Sequence, residues 1–175
     1  MARRRFAVAL MIPAPASIEV DALRTALGDR QLGRIGAHVT IVPPINLRDD
    51  DLVDAMVVVE RAAASVAAFE LRLGPVETFD EASPTRFLRV DPWEPVVALY
   101  EACWTGVFER PEKRPFHPHV TIDIDGSPTD GPDPAIELLD GFTTTTRIDR
   151  LTLLEHRDDA QRRRWESFSH FPLSG

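Results

Sequence analysis

The chain has 175 residues, of which 43% are hydrophobic and 27% charged, so it carries enough apolar length to bury a sizeable core within one compact domain. Its formal net charge of −8 and pI of about 5.1 exclude a broad basic footprint for a long nucleic-acid backbone, while leaving room for local positive charge that grips one or two phosphates. A single cysteine, Cys103, excludes an intramolecular disulfide, and its place in an apolar helical stripe makes it a core residue.

Taken in order, Met1 to Arg5, the apolar Phe6 to Ile12 and then Ala14-Pro15-Ala16 imitate a secretory leader. The apolar run is short for that purpose and is cut by Pro13. It alternates Phe6, Val8, Leu10 and Ile12 with the smaller Ala7 and Ala9, as in a strand covered on both faces. We read it as the first strand of a cytoplasmic protein, and no run approaches membrane-spanning length. Ser17 is the expected N-cap of a helix through about Leu27, closed by Gly28. Gln31 to Ala37 is a loop carrying Arg34, and it leads into the strand His38-Val39-Thr40-Ile41. Asp49, Asp50 and Asp51 supply a cap and favourable negative charge to a helix whose Leu52, Met56, Val59, Ala63 and Val66 recur at helical spacing. Phe69 to Phe79 is a strand with a break at Gly74-Pro75, and Glu81 to Pro84 is a turn.

A second series follows. Arg86 to Asp91 is a strand, and Pro92 and Pro95 bracket the start of a helix with the stripe Val96, Leu99, Tyr100, Cys103 and Val107, which we read as core packing rather than a cofactor box. The loop Glu109 to Phe116 carries Arg110, Lys113 and Arg114 toward His119-Val120-Thr121-Ile122, the same four residues that begin at His38. Asp125 to Pro134 reads as a surface loop, followed by a short helix to Leu139. Arg147 to His156 and Arg164 to Phe171 close the chain as two strands joined by a charged turn at Asp158-Asp159. Arg162-Arg163-Arg164 is a solvated strand start, with phosphate binding as the lesser alternative, and His156 and His170 fall near strand ends as surface or rim residues.

Matching flanks turn the repeated tetrapeptide into a repeated unit, strand-helix-strand-helix-strand, over about residues 4–80 and again over about 84–158. Strand alternation sends His and Thr to one face and Val and Ile to the other, so each copy presents an imidazole and a hydroxyl about 7 Å apart above a buried face. With His38 and His119 lining one cleft, the site holds two groups that titrate near neutrality and two hydroxyl donors. In-line displacement at phosphorus needs a base on one side and an acid on the other, and a two-fold arrangement supplies both. Thr40 and Thr121 would donate to the non-bridging oxygens. The expected rate profile is a bell around pH 6.5.

The two His-x-Thr motifs, the lead-in Phe116-His117-Pro118-His119-Val120-Thr121 and the opening Arg5-Phe6-x-Ala resemble the two-histidine (2H) phosphoesterase superfamily, with its 2′-5′ RNA ligase-like proteins and cyclic nucleotide phosphodiesterases. The resemblance covers nearly the whole chain. It implies an α+β fold: two pseudo-two-fold-related lobes of mostly antiparallel sheet with outer helices and a central cleft. The whole, residues 1–175, is then one domain, its lobes over about 4–80 and 84–158 with a closing strand over 162–171. It further implies catalytic roles for His38, Thr40, His119 and Thr121, and metal-independent hydrolysis of a cyclic phosphodiester, the 2′,3′-cyclic phosphate of an RNA end or small nucleotide, to a 2′-phosphate without a cofactor. Arg34, Arg114, Phe116 and His117 flank the motifs and are candidate substrate contacts, and a monomer is expected. Two alternatives stand beside this: a module that holds a phosphorylated ligand without turnover, and a zinc hydrolase built on His117 and His119 with His38 or Asp123, for which no Cys or carboxylate cluster completes a ligand set.

Overall fold

In the computed structural model, which describes residues 3–80, 83–111, 115–124, 139, 141–159 and 162–175, the alternating N-terminal run forms strand β1 (Arg3–Met11). Phe6, Val8 and Leu10 face the main core, while Ala7 and Ala9 are buried on the other face with Leu154, against Met11, Ile35 and Trp165. The strand is therefore covered on both sides, and the small alanines let a second apolar layer approach the sheet closely.

Helix α1 (Ala16–Ala26) starts two residues earlier than expected, with Pro15 at the cap position, no side-chain cap, and Ser17 inside the first turn. Its end follows expectation: Gly28 takes φ +73°, the left-handed conformation that closes helices. Strand β2 (His38–Arg48) carries the first motif. Asp49–Asp51 form a 3₁₀ turn before helix α2 (Leu52–Ala64), and the Asp51 carboxylate is bonded to Arg48 rather than capping the helix. Strands β3 (Phe69–Asp80) and β4 (Ser83–Asp91) form a hairpin, and α3 (Glu94–Cys103) buries Val96, Leu99, Tyr100 and Cys103 as the stripe predicts. Strand β5 (His119–Asp123) carries the second motif. Lys113 and Arg114, the loop expected over Asp125 to Pro134 and most of the short helix after it lie outside the described residues.

The strand expected over Arg147 to His156 is divided at Asp149 into β6 (Thr144–Ile148) and β7 (Arg150–Asp158), followed by β8 (Arg163–Pro172). One eight-stranded sheet results, in the order β6-β3-β4-β5-β2-β1-β7-β8, with antiparallel neighbours throughout. Ile148 pairs with Phe69 near one edge and Arg150 with Pro172 at the other, with only Asp149 between them, so the sheet must curl until its two ends meet at that residue. The C-terminal segment seals the junction: Leu173 donates to the Asp149 carbonyl and Ser174 to that of Val66. The two halves of the sheet, β5-β4-β3-β6 and β2-β1-β7-β8, mirror each other about the β2–β5 pair, and each takes strands from both halves of the chain. Helices α1 to α3 cover the core face, leaving the other face of β2 and β5 lined by the motif side chains. No helix among the described residues is long and apolar enough to cross a membrane.

The break at Gly74 has a steric cause. At φ +105°, a Cβ on Gly74 would lie 2.1 Å from the Phe142 carbonyl oxygen, and the β3–β4 register shifts between Leu73 and Val76. Gly28, also at positive φ, has open space around it. Gly28→Ala is expected to cost about 1 kcal/mol of backbone strain, and Gly74→Ala more than about 3 kcal/mol, because strain and a backbone clash add. Urea midpoints of the two variants check the order; equal losses would contradict it.

Candidate active site

Val39 of β2 is paired with Val120 of β5, antiparallel and directly opposite. That register sets His38 across from Thr121 and Thr40 across from His119, all four on the face away from the core, while Val39 and Val120 are fully buried beneath. The two imidazoles therefore occupy one diagonal of a square and the two hydroxyls the other. Diagonal neighbours of this kind lie roughly 7–8 Å apart. All four side chains are half-buried, and neither threonine hydroxyl is engaged by a hydrogen bond among the described residues.

Both histidines are held in the same way. Nδ1 of His38 donates to the Gly36 carbonyl at 2.8 Å, and Nδ1 of His119 to the His117 carbonyl at 2.6 Å. A carbonyl only accepts, so Nδ1 carries the proton in each ring and Nε2 is left for the cleft: a base when the ring is neutral, an acid when it is charged. Crowding by surrounding protein pushes both imidazoles below their ordinary value, with the carbonyl contact partly opposing it. Positive charge adds to the depression, from Arg24 and His119 on His38 and from His117 on His119.

Each motif has its own support. The loop before His38 is clamped by Arg24, which is buried, ion-paired to Asp29 at 2.8 Å and to Asp21, and donates to the Ile35 carbonyl at 3.0 Å. Around His119 the rings of Phe79 and Phe87 stand edge-on, with centroids 4.9 and 5.4 Å away, and His117 packs against the same two phenylalanines. Phe87 lies across from Thr121 and the exposed Arg89 across from His119, on the motif face. Phe79, Phe87 and Arg89 were not singled out from the sequence. The alternation Phe87-Leu88-Arg89, with Leu88 opposite the core-facing Val120, is the signal that would have found two of them.

The other candidate contacts separate. His117 is exposed beside His119. Phe116 is stacked flat on Tyr100 of α3, centroids 4.0 Å apart, so its ring serves the core. Arg34 is exposed on the loop before β2 and points into a cavity with Arg5 and Trp165, and Arg114 lies outside the described residues. Asp123 is buried in an ion pair with Arg86 at 2.7 Å. Among the described residues no three His, Cys, Asp or Glu side chains come together as a metal-ligand set. His156 and His170 are more engaged than surface positions require: His156 packs edge-on against Trp165, and His170 Nδ1 lies 3.1 Å from the Thr152 hydroxyl.

A curled antiparallel sheet with its two central strands each offering a His-x-Thr to a shared face is the architecture of the two-histidine phosphoesterases. The model of the 2′-5′ RNA ligase superfamily matches residues 12–160, and the chain belongs to that family. Among its relatives, a protein named "Putative phosphoesterase" from Oceanobacillus iheyensis is 24% identical over 89% of each chain. Another of that name from Halalkalibacterium halodurans is 35% identical over 50% of this chain and 52% of its own. The fold is similar to that of E. coli LigT, with TM-scores of 0.75 for the apo form (18% identical, all of both chains covered) and 0.72 for the form complexed with phosphate (17% identical, all of both chains covered).

The depressed histidines have a consequence for stability. Below about pH 6.5 the unfolded chain takes up protons that the folded one resists, so this contribution is complete above that value and is lost as the pH falls through it toward the folded values. His119→Gln should therefore flatten the loss of stability between about pH 7 and pH 5. Urea midpoints across that range check it, and an unchanged slope would contradict it.

Proposed function

We propose that the protein is a metal-independent phosphodiesterase that opens a cyclic phosphodiester, the 2′,3′-cyclic phosphate of an RNA end or small nucleotide, to a 2′-phosphate. The observation that carries this is the diagonal of two imidazoles, each with Nδ1 committed to a backbone carbonyl and Nε2 without a hydrogen bond among the described residues, crossed by a diagonal of two hydroxyls unengaged among those same residues. Diagonal strand positions roughly 7–8 Å apart bring both rings within reach of one phosphate group held between them. The ligands named for the LigT structures, phosphate, 3′-AMP and ATP, agree with a phosphate-holding cleft in this fold, as does the phosphoesterase naming of the relatives.

In this reading the phosphate sits over Val39 and Val120, and the hydroxyls of Thr40 and Thr121 donate to its two non-bridging oxygens. One neutral histidine takes a proton from water as the water oxygen bonds to phosphorus. The P–O3′ bond breaks on the opposite side, its electron pair stays on O3′, and the second histidine, charged, gives that oxygen its proton. The product carries a 2′-phosphate and a 3′-hydroxyl, and the histidines have exchanged protonation states. Solvent exchange restores them, which the half-exposed position of both rings permits.

Steady-state hydrolysis of 2′,3′-cyclic nucleotides in the presence of chelator tests the proposal. His38→Ala and His119→Ala should each lower kcat by about 10²–10⁴ with the fold intact by circular dichroism. Thr40→Ala and Thr121→Ala should cost less, and His117→Ala least, since its side chain meets Phe79 and Phe87 rather than the shared square. Full activity in either folded histidine variant would overturn paired acid–base catalysis. Dependence on a metal would return the zinc reading, and no turnover by wild type would favour a binding module.

The pH profile is a separate test. A neutral base and a charged acid are required together, and both imidazoles lie below their ordinary 6.5 in the free protein, so kcat/KM should be bell-shaped with its maximum on the acid side of pH 6.5. A maximum at alkaline pH would contradict it.

A further inference from the structure

A cavity of about 310 Å³, at the small end of the range for ligand sites, lies away from the four motif residues and is lined by Arg5, Gln31, Arg34, His156, Asp158, Arg163, Arg164 and Trp165. The sheet register places it on the same face as the motifs. Ala9 is opposite Thr40 on β2 and Thr152 on β7, Ala7 is opposite Leu154, and His156 is opposite Trp165 on β8, so odd positions of β1, even positions of β7 and Trp165 continue the motif face outward. Arg5 stands four residues along β1 from Ala9, roughly 13 Å from the level of Thr40.

The charge of this cavity runs against that of the chain. Four arginines face one aspartate in a protein of net charge −8. Two of them are already matched: Arg163 reaches Asp158 at 3.1 Å, and Arg164 reaches Asp159 at 2.8 Å and Glu166 at 2.6 Å. Arg5 and Arg34 form no ion pair among the described residues. Beside them Trp165 is half-buried, fixed by its backbone N–H donating to the Arg34 carbonyl at 2.7 Å and by His156 packing edge-on at 5.1 Å. A positioned indole beside two unmatched guanidinium groups is suited to one nucleotide of a single strand, its base stacked and its phosphate paired.

We infer that this cavity is a second phosphate-and-base subsite for the body of an RNA strand whose cyclic-phosphate end lies at the His-x-Thr square. The inference rests on the proposed function and deepens it. A cyclic mononucleotide has a single phosphate, which the square consumes, so only a substrate with a further phosphate and base, as in a longer strand, can fill both places. The subsite thus favours RNA ends over free nucleotides, and its recognition is of backbone and stacking rather than of sequence.

The test compares two substrates, a 2′,3′-cyclic mononucleotide and a short single-stranded RNA ending in the same cyclic phosphate, in wild type and in the double variant Arg5→Gln/Arg34→Gln. For the RNA, kcat/KM should fall roughly 10- to 100-fold, the worth of one or two charge-assisted hydrogen bonds, mainly through KM. The ratio of RNA to mononucleotide kcat/KM should fall with it, and the log–log salt dependence for the RNA should become shallower by about one to two. Equal losses on both substrates, or no loss on the RNA, would overturn the subsite. If wild type turns over neither substrate, the catalytic reading fails while the subsite stays testable. Fluorescence anisotropy with a 3′-phosphate-ended RNA should then show weaker binding by the double variant, and equal affinity would overturn it.

Discussion

The pairing of Val39 with Val120 is the constraint on which the rest depends. Side chains on a strand alternate with a period of two, so a slip of one residue between β2 and β5 would turn one His-x-Thr into the core and bring a valine and an isoleucine to the surface. The neighbours forbid that slip. Leu10 of β1 is opposite Val39 and Leu88 of β4 is opposite Val120, and all four are fully buried, so the apolar layer beneath the site fixes the register of the polar layer above it. The geometry of the proposed acid–base pair is thus specified by hydrophobic burial, which is strong and insensitive to pH, rather than by polar contacts among the four motif side chains themselves.

What lies within one strand or one helix was legible in the sequence. His38 and Thr40, like His119 and Thr121, share a face because alternation is local, and Val96, Leu99, Tyr100 and Cys103 share one because helical period is local. What depends on partners was not. Nothing near Asp149 announces that the residues before it pair with β3 and those after it with β1 and β8, since the choice is made by distant surfaces. Ser17 has good capping chemistry, but the helix already starts after Pro15 and leaves it two residues too late. Phe116 stands closer in sequence to the second motif than Phe79 does, yet Phe116 completes the core on Tyr100 while Phe79 reaches His119 across the sheet. The meeting of Arg5, Arg34 and Trp165 could not be read from three separate segments.

Electrostatics divide the molecule in a way that composition hides. The overall excess of acid discourages loose contact with polyanions, while the face around the motifs gathers Arg5, Arg34 and Arg89 and the depressed histidines. Long-range repulsion combined with local attraction favours ligands that seat in the groove over those that only approach it. The loop that delivers His38 is secured from inside: breaking the buried Arg24–Asp29 pair would strand a charge and release the Ile35 carbonyl together.

The exchange of strands across the β2–β5 axis bears on how such a site can become specific. Because β3 joins the half-sheet of β4 and β5, and β7 that of β1 and β2, a single strand-helix-strand-helix-strand unit on its own would expose unpaired edges. It would complete its sheet only with a second copy, placing two identical half-sites about a molecular dyad. Any residue altered on one side of such a dimer is altered on both. Covalent fusion removes that coupling. Here one histidine keeps company with Phe79 and Phe87 while the other adjoins a loop that reaches toward arginines and Trp165, an asymmetry suited to the proposed substrate, whose two ends differ. In the proposed reaction the symmetric square would provide the chemistry, and the unlike walls would give it a direction.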